Sequence, residues 1–99
     1  MSLIHLEDEN FDKLISNKCI VDFYANWCSP CKIFAKTFEE VALNSDINFV
    51  KVDVDKHEDL ARIYGVMSIP TIIMFENGDI VEKHIGILSK DELLELINK

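Results

Sequence analysis

Between two strand-forming runs, Thr71-Ile72-Ile73-Met74-Phe75-Glu76 and the segment from Asp79 to Ile85, stands Asn77-Gly78. Asn-Gly suits a type I′ turn, whose twist matches that of the strands it joins. The two runs are therefore expected to form an antiparallel hairpin. Upstream, strand-like runs alternate with helically spaced segments, a pattern that leads to right-handed crossovers and parallel pairing. A parallel region that ends in a hairpin makes a mixed sheet, and an α/β fold with helices on both faces of that central sheet is expected.

The remaining elements follow from periodicity and end signals. Leu3 to Leu6 reads as a short strand. Glu7 to Ser16 carries Phe11, Leu14 and Ile15 at helical spacing. Cys19 to Ala25 reads as a buried strand, and Lys32 to Leu43 as a helix with Ile33, Phe34, Phe38, Val41 and Ala42 on one face. Ile47 to Asp53 is a strand. Asp55-Lys56-His57-Glu58 matches a helix-start pattern, a capping residue with an acid three positions on. That predicts a short helix to about Tyr64, with Gly65 as its C-terminal cap. Ser89-Lys90-Asp91-Glu92 is a second capping box, opening a last helix with Leu93, Leu94, Leu96 and Ile97 as its apolar residues. The order is β-α-β-α-β-α-β-β-α. With no repeat, linker or low-complexity tract, residues 1–99 are expected to be a single domain.

Composition narrows the function classes. The chain is 48% hydrophobic, which argues against disorder. Eighteen acidic and ten basic residues give a net charge of −8, unsuited to nucleic acid or anionic membranes as partners. Three cysteines are too few and too odd in number for a secreted disulfide scaffold. The acidic start, Met1-Ser2-Leu3-Ile4-His5-Leu6-Glu7-Asp8-Glu9, lacks the basic region of a signal peptide. No apolar run approaches the roughly 20 residues of a membrane span. A cytoplasmic protein, monomeric, is the expectation.

The chemistry-bearing motif is Trp27-Cys28-Ser29-Pro30-Cys31-Lys32. Its cysteine spacing suits reversible dithiol/disulfide exchange, in which one thiol attacks a disulfide and the other resolves the mixed disulfide. The motif lies between a predicted strand and a predicted helix, so Cys28 falls near a helix N-terminus. Unpaired N–H groups and the helix dipole favour a thiolate there. Zinc is the competing use of such a pair, but no second C-x-x-C or close histidine pair is present, and His5, His57 and His84 are scattered. No metal is expected.

On these residues the chain resembles the thioredoxin family along its whole length. The resemblance rests on Trp27 to Lys32, on Asp22 in the preceding strand and on Lys51 in the next. Ile69-Pro70-Thr71 and Gly86-Ile87-Leu88-Ser89-Lys90 complete it. It implies a thioredoxin fold, with Cys28 as nucleophile, Cys31 as resolving thiol, Asp22 as buried acid/base and Pro70 as a cis proline facing the dithiol. Two positions depart from the family pattern. Ser29 stands where glycine is usual, which bears on the reduction potential. Lys36 stands where a kinking proline is usual, which predicts a straighter helix.

Several of these residues have a plainer reading as well. Asp22 is either a solvent-facing strand position or a buried carboxylate held back from ionising. Lys51 is either an exposed strand lysine or a cation that tunes Asp22. Asp53 and Asp55 read as a solvated strand end and a helix cap, since calcium loops need more oxygen ligands and a glycine turn. Trp27, Ser29, Pro30, Ile69, Pro70, Ile85 and Gly86 either pack or form an apolar contact surface beside the dithiol. Cys19 reads as a small buried hydrophobe.

The function expected is reduction of disulfides in target proteins, with no dissociable cofactor. The resemblance implies two kinds of partner, disulfide-containing proteins and a thioredoxin reductase that restores the dithiol. A thiol oxidase or isomerase of the same fold is the enzymatic alternative, decided by the potential. A non-catalytic binding module is the alternative from another class.

Overall fold

The computed structural model describes residues 3–99. Its elements are β1 (Leu3–His5), α1 (Phe11–Leu14), β2 (Cys19–Tyr24), α2 (Ser29–Ala42), β3 (Asn48–Asp53), α3 (Glu58–Ile63), β4 (Thr71–Glu76), β5 (Asp79–Ile85) and α4 (Lys90–Ile97). They form one five-stranded mixed sheet in the order β1-β3-β2-β4-β5. The pairs β1/β3 and β2/β3 are parallel; β2/β4 and β4/β5 are antiparallel. Asn77 and Gly78 turn the hairpin with φ of 56° and 84°, the positive values a type I′ turn requires. The Gly78 N–H also donates to the Ile15 carbonyl at 2.9 Å, tying the turn to the end of α1.

Side-chain alternation sends the strands' residues to two cores. On one face Ile20, Phe49, Ile72 and Met74 meet Phe34, Phe38, Val41 and Ala42 of α2 and Leu93, Leu96 and Ile97 of α4. On the other, Val21, Phe23, Val50, Val52, Ile73 and Phe75 meet Phe11 and Ile15, with Leu60 and Tyr64 packed against them. Aromatic rings knit each core: Phe38 and Phe49 lie 5.0 Å apart on the first face, Tyr64 and Phe75 5.2 Å apart on the second. Full burial of a phenylalanine ring such as Phe38, Phe49 or Phe75 is worth about 2–3 kcal/mol. Asp22 and Lys51, at the Ile20 and Phe49 parity, point to the α2 face.

Three local expectations differ from the structure. The first helix is only Phe11–Leu14. The Asn10 side chain accepts the Lys13 N–H at 3.2 Å and so starts the helix, while the Glu7 N–H is captured by Glu9 at 2.7 Å. Ile33 is 63% exposed, so the buried stripe of α2 is Cys31, Phe34, Phe38, Val41 and Ala42. The N-cap of α3 is His57, with no side-chain cap bond; Asp55 is used elsewhere. The other end of α3 is as predicted. Gly65, at φ 65°, lets its own N–H reach the Arg62 carbonyl and that of Val66 reach Ala61. The helix α2 runs unbroken over 14 residues through Lys36. Among the described residues no helix is long and apolar enough to cross a membrane.

Candidate active site

The dithiol sits where β2 hands over to α2. Cys28 is the N-cap of α2, in extended conformation at φ −96° and ψ 111°, and Pro30 lies in the first turn. Proline fits there because its missing N–H is one the helix leaves unpaired. The Cys28 Sγ accepts the Cys31 backbone N–H at 3.2 Å. Cys28 and Cys31 are joined as a disulfide, the oxidised end of the redox cycle, with Cα atoms 5.2 Å apart. The two residues are 5% and 2% exposed, so solvent access hardly separates them. The cap position does: only Cys28 places its sulfur at the open end of the helix.

A second segment closes over the pair. The Ile69–Pro70 peptide is cis. The Ile69 carbonyl lies 3.9 Å from Cys28 Sγ, and Ile69 packs against Ala25, Cys28 and Cys31. Thr71 Oγ1 donates to the Ser68 carbonyl at 2.6 Å, and the Gly86 N–H donates to the Pro70 carbonyl at 2.8 Å. Gly86, at φ 101°, is in a conformation that favours glycine. These bonds bring Ile85 and Gly86 beside Pro70. Trp27 and Ile85 are 70% and 63% exposed, Ser29 and Pro30 are exposed, and Ile69 and Gly86 are partly buried. Of the seven residues expected at a contact surface, these six reach solvent and Pro70 is buried.

Asp22 is fully buried, which removes the solvent-facing alternative. Burial pushes its carboxyl from 3.8 up to about 6, against the opposing charge of Lys51. Lys51 is itself buried, so it is not the exposed strand lysine either; its Nζ is 3.6 Å from Asp22 Oδ2, an ion pair. Parallel register puts the two residues side by side. At that distance neither Asp22 oxygen has a hydrogen-bond partner. Cys31, Lys51, Tyr24 and Lys32 line a common pocket of about 120 Å³, so the lysine of the charged pair and the second cysteine open on the same space.

Asp53 and Asp55 are not a solvated strand end and a helix cap. Asp53 is buried; its carboxylate accepts the Asp55 N–H at 2.9 Å and an Asn26 amide N–H at 3.4 Å. Asp55 accepts the Trp27 indole N–H at 2.9 Å, holding the exposed ring beside the disulfide. The sequence signal for this was the Asp-x-Asp spacing at a strand end, which supports a side-chain-to-backbone turn as readily as a cap. Cys19 is fully buried, its thiol pushed up to about 12 by burial, and lies outside this site. Among the described residues no three metal-binding side chains come together.

Comparison with known proteins agrees with this geometry. The thioredoxin family model matches residues 2–99. A thioredoxin of Mycoplasmoides gallisepticum is 51% identical over 89 residues, covering 87% of this chain and 89% of the relative. One of Bacillus subtilis is 38% identical over 102 residues, covering 100% and 98%. Among solved structures, reduced Schistosoma mansoni thioredoxin pre-protein superposes with a TM-score of 0.89 at 40% identity, covering 99% of this chain and 97% of that one. A thioredoxin variant of Halobacterium salinarum gives 0.91 at 33% identity, covering 98% and 88%.

Proposed function

The chain belongs to the thioredoxin family and is a protein disulfide reductase, and on that premise we propose how its residues divide the work. In the reduced protein the Cys28 thiolate attacks one sulfur of a target disulfide. A Cys28–target disulfide forms and the other target sulfur leaves as a thiolate. Cys31 then gives its proton to the Asp22 carboxylate and attacks Cys28 Sγ, displacing the second target sulfur. Two electrons have passed from the dithiol to the target, and the Cys28–Cys31 bond remains. The observation that carries this assignment is the N-cap sulfur of Cys28 accepting the Cys31 N–H at 3.2 Å. A thiolate in that place keeps the bond and gains the favourable end of the helix dipole.

Lys51 tunes Asp22 by its charge, so that the acid is ionised, and able to accept, at neutral pH. Trp27, Ser29, Pro30, Ile69, Pro70, Ile85 and Gly86 receive the target around its disulfide. The chain acts as a monomer of one domain, residues 1–99, whose redox group is its own cysteine pair. A thioredoxin reductase returns the disulfide to the dithiol. A reducing cytoplasm suits such a cycle, and the unpaired Cys19 thiol fits that setting.

The test is reduction of insulin disulfides by dithiothreitol, with two variants. Cys28→Ser loses the activity. Cys31→Ser still attacks and accumulates covalent mixed disulfides with its targets. Equal iodoacetamide reactivity of both thiols in the reduced protein would overturn the assignment of roles. Measurement of the Cys28–Cys31 potential gives the direction of the chemistry: a strongly reducing value is expected, and an oxidising one turns the protein into an oxidase or isomerase.

A further inference from the structure

Tyr24 follows Asp22 by two residues on β2, so the two side chains leave the strand on the same face. Its ring carries the Lys51 ammonium on its face, with Nζ 4.4 Å from the centroid. The same Nζ is 3.6 Å from Asp22 Oδ2. Lys51 therefore has two neighbours that favour a cation at that spot, one anionic and one aromatic. The Asp22 contact is long for a hydrogen bond, and Asp22 has no hydrogen bond from any other group. A lysine side chain is long and has many rotamers, so an ion pair at 3.6 Å alone leaves its end loosely fixed. A ring face supplies what is missing, and such a contact is strongest where water is excluded.

We propose that Tyr24 is a positioning residue for the resolving half of the reaction: its ring seats the Lys51 ammonium, and the seated ammonium governs the ionisation of Asp22. The surroundings leave few other groups for that task. Beside Asp22, β4 presents the apolar Ile72 at the same register. On β3, Asp53 stands opposite Tyr24, and His5 of β1 stands opposite Lys51. From α2, Cys31 and Lys32 reach the pocket that Tyr24 and Lys51 share. The part of α4 buried on this face is apolar, Leu93, Leu96 and Ile97. Glu7, Asp53 and Asp22 add their negative charge to burial in holding the Tyr24 phenol neutral, which keeps its ring an uncharged seat.

The inference rests on the reading of Lys51 as the tuner of Asp22, and the readout is chosen to keep the two apart. The Asp22 carboxyl carbon is followed by NMR from pH 4 to 9 in the oxidised protein, independently of activity. Lys51→Met moves its titration to higher pH if Lys51 tunes it; an unchanged midpoint there sinks that reading, and Tyr24 with it. Given that shift, Tyr24→Leu is expected to raise the midpoint by about half a pH unit or more, and Tyr24→Phe to restore it, since the ring face is kept. In the Lys51→Met background Tyr24→Leu adds no further rise. A rise that persists there shows the ring acting through packing and overturns the proposal, as does a Tyr24→Leu midpoint equal to wild type. A second measurement needs no variant. The Lys51 ε-methylene protons of the wild-type protein should be displaced upfield by the ring current, and an ordinary chemical shift would refute the seat even if Tyr24→Leu fails to fold.

Discussion

Asp22→Asn tests the buried acid on stability and chemistry at once. The carboxyl is fully buried, and burial raises it from 3.8 to about 6. Below pH 4 the group is protonated whether the chain is folded or not, and it costs nothing. Between pH 4 and 6 the unfolded chain ionises it and the folded chain does not, so stability falls as pH rises. Above pH 6 the loss is complete and level. At about 1.4 kcal/mol per pH unit, the charged form lowers stability by about 3 kcal/mol at pH 7. Asparagine resembles the protonated acid in shape and polarity, and each leaves an uncharged oxygen facing the Lys51 ammonium. The variant should therefore match wild type near pH 3.5 and be about 3 kcal/mol more stable at pH 7. With a urea dependence of about 1–3 kcal/mol per molar, the midpoint should move up by about 1–3 M. The same variant should reduce insulin more slowly at pH 7, by about tenfold or more, because asparagine cannot take the proton from Cys31. Urea midpoints and reduction rates on both proteins across pH 5 to 9 decide the matter. Equal stability at pH 7 refutes the burial argument; equal rates at every pH refute the proton-accepting role.

Two further substitutions probe parts of the fold away from the chemistry. Cys19→Ala removes one buried sulfur with no strong partner, so it should cost about 1 kcal/mol in denaturant unfolding and leave insulin reduction within tenfold of wild type; a larger loss of kcat/KM would mean that this thiol takes part in the cycle. Ser89→Ala removes the side-chain half of the α4 capping box, Glu92 N–H to Ser89 Oγ at 3.1 Å, while the backbone N–H of residue 89 can still donate to Glu92, as it does at 2.9 Å; the loss should cost about 1 kcal/mol, or about 4–8 °C in Tm, and an unchanged melting curve contradicts this.

Local signals were enough to read the order of the elements and the mixed character of the sheet. Asn77-Gly78 specifies a turn by its own φ requirements, and the turn specifies the hairpin. The Ser89 capping box and the Gly65 cap likewise use groups a few residues apart in the chain. Where the reading went astray, a side chain had been taken by a nearer or more distant competitor. Asn10 and Glu9 compete for backbone N–H groups that an earlier helix start would have used. Asp55 has the right spacing for a cap with Glu58, yet its carboxylate serves the Trp27 indole 28 positions upstream. Spacing alone does not reveal which of two acceptable partners is nearer in space. Ile33 shows the same limit for packing, since an apolar residue beside a helical stripe does not reveal how wide the covering surface is.

The site divides along the same line. Cys28 and Cys31 are legible because their chemistry depends on one turn of chain. The Asp22–Lys51–Tyr24 cluster is legible only once β2 and β3 are known to be parallel neighbours in one register. That register also explains why a costly acid can be kept. A domain of this size has total stability on the order of 5–15 kcal/mol, so about 3 kcal/mol at one residue is a large share. It is met by the residues around it: Ile20 and Phe49 flank the pair on its own face, while Val21, Phe23, Val50 and Val52 close the opposite face, all fully buried. Replacing Asp22 by an apolar residue would remove the cost and leave Lys51 buried without its counter-ion, itself a strongly destabilising change. An apolar replacement of Asp22 therefore has to be accompanied by a replacement of Lys51. A stability-driven replacement must pass through a less stable single variant, unless the replacement, like asparagine, keeps a polar atom within reach of the ammonium.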